Sequence, residues 1–212
     1  MKAPFKAAPM LFVFGLLILT LGISLTIRAG LGASPFDALL VGLSHSVGLT
    51  VGSWEVLIAI LLCLCNALLS RQRPELLGLA TAFVTGLGID AWLLIMNRLV
   101  EPSLFLSKLA CFGLGLVVIG LGTAVYLHAR FAPSPLDRLT LLMRTLTGLN
   151  LFYTRTILYV IFLMAAFLFR GPIGVGTLLT VGLGGLILNY FMPLITKMLD
   201  RQTSAQAEKP FT

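Results

Sequence analysis

Long apolar stretches alternate along this chain with short polar joints. They run from Leu11 to Ile27, Val51 to Leu69, Gly78 to Met96, Leu104 to Leu127, Leu151 to Phe169 and Gly176 to Ile195. Each holds about 17 to 24 residues, enough for a helix to cross roughly 30 Å of hydrocarbon. The pattern predicts an all-α, polytopic membrane protein with about six transmembrane helices. The opening MKAPFKAAPM would serve as the positive flank of a signal sequence, but the run from Leu11 is too long for a signal core and lacks a small-residue cleavage site, so it is expected to be a retained first span.

Two joints are longer than the rest and begin alike. AGLGASPFD and ARFAPSPLD both carry Ser-Pro-x-Asp, 100 residues apart. Ser at an N-cap accepts an orphan backbone N–H, Pro at the first helical position loses nothing by lacking one, and Asp in the first turn favours the positive helix end. Short helices are therefore predicted from Pro35 to Val47 and from Pro135 to Thr147, ahead of Gly48 and Gly148 as C-terminal caps. Such a helix is about 18 Å long, half a membrane. The first is apolar enough to dip into the bilayer, whereas the second, with Arg138 and Arg144, has the character of an interfacial amphipathic helix. The motif itself fits either a helix cap on the surface or a pair of half-helices marking a solute site.

The likeness extends beyond the motif. At an offset of 100, Phe12, Gly15, Leu21, Gly22, Ala29, Ser34, Pro35, Asp37, Leu39, Gly48 and Leu49 recur at the shifted position, and at an offset of 96 Gly78, Thr81, Gly86 and Gly88 recur as Gly174, Thr177, Gly182 and Gly184. The chain thus divides into two related three-span halves, 1–101 and 102–212. An odd span count inverts the second half relative to the first.

Charge agrees with inversion. With the N-terminus inside, Lys2, Lys6, Arg71, Arg73, Arg130, Arg138, Arg144, Arg155, Lys197, Arg201 and Lys209 fall on the cytoplasmic side, and Arg28, Arg98, Lys108 and Arg170 fall outside. The segment from Arg28 to Glu55 holds one Lys or Arg and its counterpart from His128 to Arg155 holds four. Both termini are expected in the cytoplasm.

Composition sharpens the class. Of 212 residues 58% are hydrophobic and 11% charged, with a mean hydropathy of +1.02, which leaves too few polar side chains to cover a water-facing surface. The net charge of +7 sits at the ends of apolar runs, not in a patch interleaved with aromatics, so nucleic acid is not an expected partner. Cys63, Cys65 and Cys111 lie in apolar runs and read as reduced structural thiols, and neither a metal nor a cofactor is expected. No metalloprotease, Walker or nucleophile-elbow motif is present, and no enzyme is expected.

The residues Leu31, Gly32, Pro35, Phe36, Asp37, Gly42, Leu43, Ser44, Gly48, Thr50 and Gly52, with Asp90 closing GLGID, resemble the YczE/YitT-type family of small bacterial multispan membrane proteins. A Trp is commoner at the place of Phe36, and the second half keeps only Ser134, Pro135, Asp137 and Gly148 of the pattern. The resemblance implies a bacterial inner-membrane location and a multispan helical fold; it carries no substrate.

The candidate solute-binding residues are Ser34, Asp37, His45, Asp90, Ser134 and Asp137. Asp90 lies in mid-span, where a carboxylate is expensive unless it faces protein, water or a cation; His45 lies two turns beyond Asp37 on nearly the same helix face. Gly22, Gly86, Gly88, Gly122, Gly182 and Gly184 are candidates for close helix packing or hinging. Arg28 and His128 end equivalent spans and would snorkel, Glu55 and Arg155 are equivalent but not expected to pair, and Asn66 and Asn189 could bond across helices. The functional expectation is a small-solute transporter or permease whose partners are the lipid bilayer and an unidentified solute; the alternative is a non-transporting accessory or scaffold protein supporting another complex. A chain of 212 residues is small for a transporter, which is compatible with a homodimer.

Overall fold

The computed structural model describes residues 8–129 and 131–207. Lys2, Lys6, Arg130 and Lys209, counted above among the inside charges, lie outside the described residues. Eight α-helices and no strands occur among the described residues: α1 (Ala8–Ala29), α2 (Pro35–Val47), α3 (Val51–Ser70), α4 (Leu76–Leu99), α5 (Phe105–His128), α6 (Pro135–Thr147), α7 (Leu151–Leu168) and α8 (Val175–Ala207). Six are long and apolar enough to cross a membrane, and the other two, α2 and α6, are the Ser-Pro helices.

Their ends follow from local chemistry. Ser34 Oγ accepts the Asp37 N–H at 3.1 Å, Ser134 Oγ accepts the Asp137 N–H at 3.1 Å, and each proline stands in the first turn. Gly48 (φ 100°) and Gly148 (φ 69°) end the two helices in backbone that a side chain resists. The last helix departs from expectation: α8 continues past Ile195 to Ala207 with Pro193 inside it. The apolar run stops near Ile195, but Lys197, Met198, Leu199, Arg201, Gln202, Ala205, Gln206 and Ala207 after it are good helix formers, so helix and span have different ends.

Helix α1 packs along α5 and also against α4, and α5 packs against α8; α2 lies against α7 and α3, and α6 against α3 and α7. The α1–α5 pair is close because glycines face it: a Cβ on Gly22 would meet Gly115 O at 2.8 Å, and one on Gly122 would meet Leu19 N at 2.3 Å. Small residues that let backbones approach are the usual glue between helices in lipid, where the hydrophobic effect gives no drive. Between α2, α3, α6 and α7 the core is apolar, built on Leu39, Leu43, Leu62, Leu139, Leu158 and Phe162. One asymmetry stands out: α3 packs along α4, whereas their sequence counterparts α7 and α8 share no comparable interface among the described residues.

Candidate functional site

Helix α2 is buried from Pro35 to Val41 except for Phe36, and on through Leu43, so its first turn carries Asp37 into the protein. There Ser34 Oγ donates to Asp37 Oδ2 at 2.6 Å while accepting the Asp37 N–H, which makes Ser34 both cap and clamp. Glu55, from the second turn of α3, lies within electrostatic reach of Asp37. Both are over nine-tenths buried, with 7% and 8% of their surface exposed. The Glu55 side chain has no hydrogen-bond partner and neither acid has a basic partner among the described residues. Two carboxyls therefore share one electrostatic environment with nothing of opposite sign beside them among the described residues.

The equivalent place in the second half is built differently. Asp137 Oδ2 accepts from Ser134 Oγ at 2.9 Å and from Tyr126 Oη at 2.6 Å. Arg155, at the position matching Glu55, lies within electrostatic reach of Asp137 and Tyr126; its Nε donates to Tyr159 Oη at 2.9 Å and its guanidinium lies 5.4 Å from the Tyr159 ring centroid. Here the carboxyl accepts from a phenol of its own chain and has a guanidinium within electrostatic reach. The two copies have kept the Ser-Pro-x-Asp cap and reversed the charge beside it.

Asp90 is fully occupied. Its Oδ1 accepts Gly52 N–H at 2.8 Å and its Oδ2 accepts Thr50 Oγ1–H at 2.6 Å, so it caps the N-terminus of α3 from α4. Opposite charge at that helix end offsets the cost of a mid-span carboxylate. The glycines Gly52 and Gly86 make the approach possible, since a Cβ on Gly52 would stand 2.0 Å from Gly86 O. Gly88 lies against Thr20, and Gly182 and Gly184 face open space. His45 is exposed near the end of α2, away from the buried acid pair.

Arg28 donates to Val100 O through Nη2 at 2.7 Å and Nε at 3.3 Å, and so ties the end of α1 to the C-terminus of α4. Asn66 Nδ2 donates to Pro135 O at 3.0 Å, a bond across helices, while its Oδ1 is buried with no partner among the described residues. No group of three or more His, Cys, Asp or Glu converges as a metal site among the described residues. Glu55, Tyr126 and Arg155 are the side chains that the sequence did not assign to the site. The available signal was the charge reversal at positions 55 and 155 within apolar runs; which residues those charges face is set by how α2 and α6 cross the spans.

The family described as "Family of unknown function (DUF6198)" matches residues 7–193. The chain is similar to "Uncharacterized protein YyaS" of Bacillus subtilis, 58% identical over 188 residues that cover 89% of this chain and 94% of the relative. It is 37% identical over 201 residues to "Uncharacterized membrane protein YczE" of the same organism, covering 92% of each. An uncharacterized protein of Haemophilus influenzae is 27% identical over 191 residues, 89% of this chain and 84% of that one. No solved structure matches.

Proposed function

The chain belongs to DUF6198, a family of unknown function, and is a multi-pass membrane protein; from that premise we propose that it moves a small solute across the bacterial plasma membrane between two inverted three-span halves. The observation that carries the reading is the buried pair Asp37 and Glu55, unmatched by any basic group among the described residues. Acids in such places are costly in a bilayer protein and are kept where they bind or relay something. Two carboxyls without a basic partner among the described residues fit a positively charged or N–H-bearing solute, and the contrast with Asp137, which accepts from Tyr126 and lies within electrostatic reach of Arg155, supports a one-sided site. Inversion draws support from the odd span count and from the charge bias, and the kinship of the halves from the pairing of helices: α1 with α4 as α5 with α8, and α2 with α7 as α6 with α3.

The test is uptake into proteoliposomes of a panel of alkali cations and small organic amines. Wild-type protein should move at least one class, and Asp37→Asn and Glu55→Gln should each lower the rate about tenfold or more, the scale of one lost charged hydrogen bond. A wild-type protein that moves none of them, or variants that match it, would refute the reading. A second reading, an accessory protein that docks on another membrane protein or on its own copy, is favoured by one observation. Gly182, Gly184 and Gly185 on α8 have open space where a Cβ would stand, while the matching Gly86 on α4 meets Gly52. Under that reading Gly184→Leu abolishes an association seen by crosslinking, and Asp37→Asn is silent.

A further inference from the structure

Two carboxyls side by side in a protein interior do not both stay ionised with nothing to neutralise them; a proton or a cation must be there. Asp37 and Glu55 meet that condition by placement. On α3 the buried residues Gly52, Glu55, Ala59, Leu62 and Asn66 recur every three or four positions, so Glu55 stands on the inward stripe and cannot turn its charge to water. Leu62 of that stripe packs in one cluster with Leu39 and Leu43 of α2, and Phe36 and Trp54, the chain neighbours of Asp37 and Glu55, lie against the same cluster. The first turn of α2 and the second turn of α3 are thereby held together, and Asp37 acts electrostatically on Glu55.

What the protein offers the pair is little. Asp37 Oδ2 accepts from Ser34 Oγ at 2.6 Å, but burial still pushes this carboxyl up to about 6 against the pull of that bond. Glu55, 8% exposed, has no donor among the described residues. An unpartnered acid so deep takes its counter-group from outside the chain. The neighbouring helices do not supply one. From α4, Asp90 binds Thr50 and Gly52, and Arg98 is exposed. From α6, Asp137 binds Tyr126, Arg138 pairs with Glu75, and Arg144 is exposed. From α7, Arg155 is bonded to Tyr159, and Tyr153 is exposed. His45 at the end of α2 and Arg170 beyond α7 are exposed as well.

We propose that Asp37 and Glu55 hold a proton whenever they hold no solute and release it to the solute that enters, so that the chain exchanges a monovalent cation for a proton. The inference rests on the transport reading above and adds the coupling ion to it. As one cation enters the site, one proton leaves the carboxyl pair for water; on the other face the cation leaves and a proton returns. The pair carries a net charge of about −1 in both loaded forms, so neither crossing requires the second acid to be bare, and a full cycle moves no net charge.

The experiment uses proteoliposomes of the purified full chain that enclose a pH-sensitive dye, with sodium, potassium and guanidinium as probes, the last permanently charged and rich in N–H. An inward gradient of a transported probe should make the interior alkaline, at a rate unchanged when the membrane potential is clamped at zero. Half-saturating probe concentration should rise by up to about tenfold for each pH unit of acidification, the limit for one displaced proton. Whatever uptake survives in Asp37→Asn or Glu55→Gln should be indifferent to pH and silent to the dye. Tracer uptake by the wild type without alkalinisation overturns proton exchange and leaves the transport reading standing. Absence of uptake for every probe refutes the transport reading, and the exchange falls with it. Alkalinisation that persists in both variants overturns the pair as the proton carrier.

Discussion

The junction of α3 and α4 gives the sharpest quantitative handle. A Cβ on Gly52 would stand 2.0 Å from Gly86 O and 2.6 Å from Asp90 Oδ2, where ordinary contact begins at 3.4 Å, so Gly52→Ala must move the two helices apart by roughly 1.4 Å. Neither obstacle is a flexible side-chain tip free to swing away, because one is backbone and the other is pinned by Thr50 and Gly52. Overpacking of this kind costs about 1–3 kcal/mol. The same movement stretches the 2.8 Å bond from Gly52 N–H to Asp90, a charged hydrogen bond worth about 1.5–3 kcal/mol. Alanine returns about 1 kcal/mol through helix propensity, which leaves a net destabilisation of about 1.5–5 kcal/mol. Unfolding by sodium dodecyl sulfate in mixed micelles measures it, followed by the fluorescence of the two tryptophans, Trp54 in α3 and Trp92 in α4. Gly182→Ala is the internal control: with nothing within 4 Å of the added methyl, it should be neutral or stabilising by up to about 1 kcal/mol. Equal stability of Gly52→Ala and Gly182→Ala would refute the idea that glycine contact between α3 and α4 fixes this junction.

Other expectations follow from single bonds. Asp90→Leu removes both hydrogen bonds that α4 makes to the start of α3, from Gly52 N–H and the Thr50 hydroxyl, and should cost about 3 kcal/mol in the same unfolding assay, whereas Asp90→Asn, which keeps an acceptor, should cost less than half as much. Tyr126→Phe leaves the 2.6 Å bond to Asp137 unmade and should destabilise by about 1–2 kcal/mol; Thr26, its counterpart in α1, bonds only its own helix at Ile23 O, and Thr26→Val should be nearly silent. Arg28→Ala frees the Val100 carbonyl at the end of α4 and should raise amide exchange in the last turn of that helix before any global loss of stability is seen.

How much of this was legible in the chain depends on the range of the force involved. The ends of α2 and α6 were readable because Ser34, Pro35 and Asp37, or Ser134, Pro135 and Asp137, act on backbone groups three residues away. The spans were readable because bilayer thickness sets their length. The C-terminal end of α8 was not, since hydrophobicity reports where lipid ends and not where a helix does. Asp90 was visible as an isolated acid in an apolar run, but its role as a cap on α3 rests on Gly52 meeting Gly86, a contact between helices that no local pattern encodes. Glu55 and Arg155 were visible as a charge reversal between the copies. That Glu55 lies near Asp37, and Arg155 near Asp137, depends on the crossing of the short helices over the spans.

The central claim is that two halves of opposite orientation form the solute path, and thiol accessibility tests it most directly. In a chain freed of Cys63, Cys65 and Cys111, single cysteines go to Val47 and Thr147, equivalent exposed positions at the ends of α2 and α6. Whole cells are then labelled with an impermeant thiol reagent. The account predicts that Val47→Cys labels from outside and that Thr147→Cys labels only once the cytoplasmic face is opened. Labelling of both from one side would contradict it, since the halves would then be parallel.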